Sequence, residues 1–96
     1  MIVSFGDRVT EDLFNGINSG RVRRVPPDIK QRVLDRLQVI DYAPVVDALR
    51  LPPSNNLERL KGDLAGFWSI RVNDQWRIIF KFADGKASEV TLTDYH

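Results

Sequence analysis

The side chains of this sequence that could do chemistry lie in its last third. Arg71 and Arg77 fall within residues 68–77, where apolar and polar residues alternate, which is the period of a strand with one buried face. The alternation puts both arginines on the face opposite the tryptophans of that stretch. The sequence ends in an acid, a phenol and its only imidazole, which are Asp94, Tyr95 and His96. Together these groups could hold and break a phosphodiester.

Cleaving RNA without a metal requires a base for the 2′-hydroxyl proton, a cation for the phosphorane and an acid for the leaving 5′-oxygen. Arg77, and secondarily Arg71, suits the cation role because a guanidinium fork can grip a phosphate in two places. Lys61 is a further candidate cation. Taken alone, strand arginines are more often solvated than ligand-binding, so this interpretation depends on what lies beside them.

The three terminal residues could supply the remaining groups. His96 titrates near neutrality and could act as acid or base. Asp94 could take or relay a proton, or could orient Arg77. Tyr95 points away from Asp94 and His96 if the strand stays regular, so it could stack on a base or bind phosphate. The alternatives are that a terminal histidine is frayed and idle and that Asp94 and Tyr95 merely finish an edge strand.

Composition predicts one small cytosolic domain over residues 1–96. The chain has 43% apolar and 28% charged residues, which is ordinary for a globular protein. It has no cysteine and one histidine, so neither a disulfide nor a metal-ligand set is predicted, and no cofactor is expected. No stretch is long and apolar enough to span a bilayer, and the N-terminus lacks the pattern of a signal peptide.

The net charge of +1 conceals a segregation of charges. Residues 21–36 carry six basic against two acidic side chains, and residues 59–81 carry five against two. If the fold brings these two blocks together, they form an anion-binding face. The equally weighted alternative is a solvated loop and helix face. The candidate RNA-binding residues in the first block are Arg23, Arg24, Arg32 and Arg36.

The order of periodic segments predicts an α+β fold, with N-terminal helices on a curved, mostly antiparallel sheet. Residues 2–5 read as a first strand, and Thr10 is the predicted N-cap of a short helical turn. The proline pair at 26 and 27 opens the main helix, and a further helical turn is predicted at residues 45–49. Three strands are predicted at residues 67–73, 76–82 and 88–95, with a hairpin turn at residues 84–85. The predicted buried stripe of the main helix is Ile29, Val33, Leu37 and Ile40.

A register argument links the first two of these strands. Both cover one core only if the loop between them holds an odd number of residues, and a loop of residues 73–75 pairs Val72 with Trp76. Arg71 then lies opposite Arg77. Like charges in that position are unfavourable by up to about 1 kcal/mol unless something compensates. A bound phosphate would compensate, and so would a nearby carboxylate such as Asp94.

Taken together, these pieces resemble the HigB group of bacterial toxins in the RelE/ParE superfamily, also called plasmid maintenance system killer proteins. The resemblance runs from residue 2 to His96. Its most specific parts are Leu51-Pro52-Pro53, Asn55, Leu57-Glu58, residues 60–63, Gly66, residues 69–78, Phe80 and the terminal Asp94-Tyr95-His96.

The resemblance implies a RelE-like fold and a toxin that cleaves messenger RNA on the translating 70S ribosome, which inhibits translation and arrests growth. It implies a cognate helix-turn-helix antitoxin of the HigA type. The toxin would contact operator DNA only through this antitoxin, and it would not associate with a membrane. The family associates catalysis with the strand arginine and the terminal acid–tyrosine–histidine. The matching positions are Arg77, Asp94, Tyr95 and His96.

The sequence departs from the family in one region. Some relatives have an additional histidine upstream of the Leu-Lys-Gly segment, where this chain has Ser54, Asn55 and Asn56. Two other functions stay open. One is a gyrase-directed toxin of the ParE type, and the other is a non-catalytic module that binds an antitoxin and DNA.

Overall fold

The computed structural model of the chain describes residues 1–94 and has the predicted α+β architecture. Its α-helices are α1 (Arg8–Phe14) and α2 (Pro27–Tyr42). Its strands are β1 (Glu58–Arg59), β2 (Trp68–Arg71), β3 (Trp76–Ala83) and β4 (Lys86–Asp94). These strands form one antiparallel sheet in the order β1-β2-β3-β4. Single turns of 3-10 helix lie at Val22–Arg24, Val46–Arg50, Pro53–Asn55 and Gly62–Leu64.

Helix α1 begins earlier than predicted because its N-cap is Asp7 and not Thr10. The backbone of Asp7 is extended, and its carboxylate accepts a hydrogen bond of 3.0 Å from the Thr10 N–H. Thr10 is fully buried, and its hydroxyl accepts a bond of 2.9 Å from the backbone N–H of Leu92 on β4. Aspartate and threonine are both good N-caps, so the local sequence could not separate the two positions. The inward position of Thr10 decides between them.

Helix α2 begins at Pro27, as predicted, since a proline in the first turn loses no helical hydrogen bond. Its predicted stripe is confirmed, because Ile29, Val33, Leu37 and Ile40 are all buried. These side chains pack with the apolar residues of the strands in one hydrophobic core. Helix α2 is therefore held by burial of one face, and its opposite side carries the charged residues.

The sheet has two unlike faces. The core face, on which the helices pack, carries Ile70, Ile78, Phe80, Val90 and Leu92, all of them buried. Trp68 and Trp76 are partly buried against the same core, as predicted for them. The outer face carries the residues that alternate with these, which are Glu58, Ser69, Arg71, Arg77, Ile79, Thr91 and Thr93. The period of two along each strand separates the two sets.

The separate strand predicted at residues 2–5 is not formed. They make two isolated parallel bridges to β4, Ile2 to Ala87 and Phe5 to Val90. A bulge in β4, where Glu89 has a φ of 52°, interrupts the regular ladder between the two bridges. Gly6 then passes so close to β4 that a Cβ there would lie 2.0 Å from the hydroxyl of Thr91. Four backbone hydrogen bonds join residues 1–6 to Ala87 and Val90 and so cover this edge of the sheet.

The hairpin between β3 and β4 turns at the predicted residues. Asp84 and Gly85 both have positive φ, 53° and 75°, as a two-residue hairpin turn requires. Within residues 1–94, no helix is long and apolar enough to cross a membrane.

Candidate functional site

The predicted register is present, and Arg71 lies directly opposite Arg77. Both arginines are half-buried on the outer face of the sheet. The carboxylate of Asp74, which lies in the turn between β2 and β3, compensates the charge of Arg71. The Arg71 guanidinium donates through Nη2 to Oδ1 of Asp74. The spacing of three residues across a tight turn is what brings this pair together.

Arg77 is held from both sides by the strand pairing. It lies opposite Arg71 on β2 and opposite Thr93 on β4, so its side chain starts on the outer face between two neighbouring strands. Its Nε and Nη1 nitrogens are buried. A guanidinium removed from bulk water interacts more strongly with an anion than an exposed one does, because the local dielectric constant is lower. This position suits a cation that stabilises charge on a phosphate.

Asp94 lies at the same end of the sheet as Arg77 but starts on the other face. It pairs with Trp76, and directly paired residues share a face. Its Oδ2 accepts a hydrogen bond of 3.2 Å from Nε2 of Gln75. The strand register by itself therefore places Asp94 beside the turn and Trp76. The predicted roles of Tyr95 and His96 lie outside the described residues 1–94.

The structure brings part of the two basic blocks together. Arg32 and Arg36 of α2 and Arg71 of β2 line one groove of about 440 Å³, together with Ser54, Val72, Asn73 and Asp74. Arg36 donates through Nε to the backbone carbonyl of Arg71 over 3.2 Å. This groove, which we call the arginine groove, joins the charged side of α2 to the outer face of the sheet.

The other predicted cations lie elsewhere. Arg24 lines a separate cavity of about 220 Å³ beside Trp76, and Arg23 donates to the Asn18 carbonyl on the surface. Lys61 is exposed where β1 ends. Leu60 pairs with Phe67 there, so Lys61 lies roughly 15 Å along the strands from Arg71. None of these three residues lines the arginine groove.

The region that departs from the family has a structural residue at its centre. Asn55 is buried, and its amide donates to the carbonyls of Leu49 and Leu51, each over 3.2 Å. These bonds hold the turn that presents Ser54 to the arginine groove. Asn55 is therefore part of the framework of the site.

Two residues that sequence reasoning did not single out also contribute. Asp74 enters the site as the partner of Arg71, and its position three residues further along a predicted turn was the available signal. Asn73 holds that turn, because its Oδ1 accepts from the N–H groups of Gln75 and Trp76 over 2.9 and 2.7 Å. No sequence signal distinguishes this asparagine from an ordinary turn residue.

The described acidic side chains do not gather around a common point. Among residues 1–94, no group of three or more acidic, histidine or cysteine side chains is arranged to hold a metal ion. What the described part of the site offers is positive charge: two opposed arginines on the outer face, and two more along the adjoining groove. Such an arrangement can bind successive anionic groups of an extended ligand.

Comparison with known sequences gives one consistent result. The chain matches, over residues 3–96, the family described as RelE-like toxin of the type II toxin–antitoxin system HigB. It is 41% identical over 97 residues to Endoribonuclease HigB of Proteus vulgaris, with all of both chains covered. It is 38% identical over 92 residues to Toxin HigB-1 of Vibrio cholerae, with 96% of this chain and 95% of the relative covered.

Solved structures show the same fold at low sequence identity. A YafQ mutant from E. coli superposes with a TM-score of 0.67 at 16% identity and covers 98% of this chain and 91% of its own. The heterotetrameric YoeB–YefM toxin–antitoxin complex from Staphylococcus aureus gives a TM-score of 0.62 at 16% identity, over 100% of this chain and 98% of the other.

Proposed function

The chain belongs to the HigB family of RelE-like toxins of type II toxin–antitoxin systems, and we propose that it acts by cleaving messenger RNA on the translating ribosome. The family resemblance read from its motifs is confirmed. A relative with 41% identity over the whole chain is named an endoribonuclease, which supports the reaction class. The observation that carries the proposal in this chain is Arg77, half-buried and opposed by Arg71 on the outer face of the sheet.

The proposed step is a metal-independent transfer within the RNA backbone. The 2′-oxygen attacks phosphorus and loses its proton to a base, the bond from phosphorus to the 5′-oxygen breaks, and an acid protonates that oxygen. The products are a 2′,3′-cyclic phosphate and a 5′-hydroxyl end. Arg77 stabilises the charge that develops on the phosphorane, and His96 protonates the leaving oxygen.

The remaining proposed residues have supporting roles. Asp94 acts as the base or orients Arg77, and Tyr95 holds the substrate. The basic side of α2, with Arg32 and Arg36, binds ribosomal RNA. Arg32 and Arg36 lie on α2, whereas Arg77 lies on β3, and this separation supports a binding role for the helix arginines and a catalytic role for Arg77. The outlying cations Lys61, Arg23 and Arg24 add non-specific attraction for RNA.

The proposed partners follow from the family. The chain is the toxin of a pair, so an antitoxin neutralises it, and a structural neighbour of the same fold is a toxin–antitoxin complex. We propose that this antitoxin is a helix-turn-helix protein of the HigA type that also contacts operator DNA. The toxin itself acts in the cytoplasm, where ribosomes translate.

The proposal is tested by inducing the toxin without its antitoxin and mapping new 5′-hydroxyl ends of cellular transcripts. We expect cuts inside translated regions, in phase with the reading frame, within minutes of growth arrest. The folded Arg77→Ala variant is the control and should give no cuts. Growth arrest with intact transcripts, or with DNA damage instead, would contradict the proposal.

A further inference from the structure

The arginine groove contains three cations held at one place by two elements. Arg32 and Arg36 lie one turn apart on α2, and Arg71 reaches the same groove from β2. Arg36 uses its Nε to bond the Arg71 carbonyl, so its terminal Nη groups are the ones that can meet a ligand. Three guanidinium groups at one groove repel one another unless an anion lies between them.

Asp74 already supplies one such anion. Its carboxylate pairs with Arg71 although the Asp74 side chain is 96% exposed, whereas that of Arg71 is only 38% exposed. The pair holds an exposed and strongly hydrated carboxylate against the half-buried cation. A carboxylate and a phosphodiester present similar pairs of oxygens to a guanidinium fork. Asp74 therefore lies where a phosphate oxygen could bind.

We propose that the arginine groove is a second phosphate-binding site for RNA, distinct from the cleavage position at Arg77, and that Asp74 occupies it in the free protein as an internal anion. An incoming phosphodiester replaces the Asp74 carboxylate on Arg71. Arg32 and Arg36 contact the same phosphate or its neighbour, and Asp74 turns out to solvent. Asp74 thus lowers the affinity for RNA without taking part in cleavage.

This inference rests on the proposed function only in that the ligand is RNA. A phosphodiester suits the groove better than a lone carboxylate does because the three arginines leave a net positive charge after Asp74 is counted. The hydroxyl of Ser54 and the amide of Asn73 line the same groove and add neutral hydrogen-bonding groups. An RNA strand offers a phosphate at every nucleotide, so either ribosomal RNA or messenger RNA can supply the phosphate that the groove binds.

The test measures binding of the whole chain to a 2′-O-methyl oligoribonucleotide at several salt concentrations. This probe lacks the nucleophile, so its binding does not depend on the cleavage proposed above. Asp74→Asn should bind about two- to fivefold tighter, the range expected for freeing an exposed ion pair. The slope of log K against log salt should steepen by up to about 0.7, because no internal carboxylate is exchanged for the phosphate.

The matched control is Asp47→Asn. Asp47 forms an ion pair with Arg50 at the same spacing of three residues, over 3.1 Å, at a different surface. The substitution changes the net charge of the protein as Asp74→Asn does, so it reports any general electrostatic effect. We expect no change in the salt slope and less than a twofold change in affinity for Asp47→Asn.

Two further variants test the groove directly. Arg32→Ala removes an exposed cation of the groove and should weaken binding and flatten the salt slope by about 0.7. In an Arg71→Ala background, Asp74→Asn should have no effect beyond that of Asp47→Asn, because the two residues act as a pair. Circular dichroism and thermal unfolding establish that each variant is folded.

The source of the phosphate is separated by cosedimentation with empty ribosomes. If Arg32→Ala lowers binding to the oligonucleotide, the groove binds messenger RNA. If Arg32→Ala lowers only binding to ribosomes, the groove binds ribosomal RNA. Either result supports a phosphate site. Unchanged binding of Arg32→Ala to both RNAs, or equal effects of Asp74→Asn and Asp47→Asn on binding to both, overturns the inference even if the protein cleaves RNA.

Discussion

The core face and the outer face of the sheet are made by the same strands and differ in almost every property. On β3, Ile78 and Phe80 are buried against the helices, whereas Arg77 and Ile79, which alternate with them, are half-buried on the other side. Burial of apolar area on the core face stabilises the fold. The outer face contributes less to stability and can therefore carry like charges opposite one another, an arrangement that costs stability.

Burial on the core face allows a chain of this size to hold two like charges opposite each other on the outer face. Arg71 and Arg77 are held together because residues on either side of them in sequence are locked into the core. The unfavourable contact is placed at the end of the strands, where Asp74 can offset it. Substitutions on the two faces of one strand are therefore expected to separate stability from activity.

The largest effect is expected from Phe80→Ala on the core face. Phe80 is fully buried, so its truncation should reduce the free energy of unfolding by about 3–5 kcal/mol through lost burial and a cavity. Ile79→Ala, one residue away on the outer face, should cost only about 1 kcal/mol because that side chain is half-buried. Urea unfolding measures both values, and equal losses would contradict the division between the faces.

The second-largest effect is expected from Arg77→Ala, and it is measured as the rate of messenger RNA cleavage on ribosomes. Loss of the cation at the phosphorane should lower the rate about 10²- to 10³-fold while the melting temperature changes little. Arg59→Ala is the control: Arg59 is also a strand arginine, but its guanidinium lies 5.7 Å from the centre of the Trp68 ring and outside the site. It should cleave normally, and full activity of a folded Arg77→Ala protein would remove Arg77 from the mechanism.

The smallest effect is expected from Thr10→Val, which tests how the core face is anchored. The substitution keeps the shape of the side chain but leaves the buried Leu92 N–H without its acceptor, at a cost of about 1–3 kcal/mol. Thr91→Val removes a hydroxyl whose bond to the Glu89 carbonyl is exposed, and it should cost less than about 0.5 kcal/mol. Thermal unfolding of the two variants checks the difference.

Much of the framework could be predicted from local pattern. Alternation along residues 68–82 predicted β2 and β3 and their odd-numbered loop, and the opposition of Arg71 and Arg77 followed from that loop. The helical spacing from Ile29 to Ile40 predicted the buried side of α2. These features depend on the period of side chains along one element, which the sequence displays directly.

Other features needed contacts between distant segments. The cap of α1 is Asp7 because Thr10 is taken up by Leu92, 82 residues further on. Residues 2–5 do not form a regular strand because a bulge at Glu89 interrupts β4, the strand with which they pair. The arginine groove exists because Arg36 on α2 reaches the backbone carbonyl of Arg71 on β2, and the separation of these two residues along the chain does not predict the contact.

By itself, the sequence determined the alternation of apolar and polar residues, the positions of chain-breaking residues and the presence of the family's motifs. Those are properties of neighbours a few positions apart, and they set element type, face and reaction class. The tertiary structure alone decided that Arg32 and Arg36 of α2 join Arg71 in one groove. Side chains far apart in sequence become neighbours only when burial of the core fixes the relative position of helix and sheet.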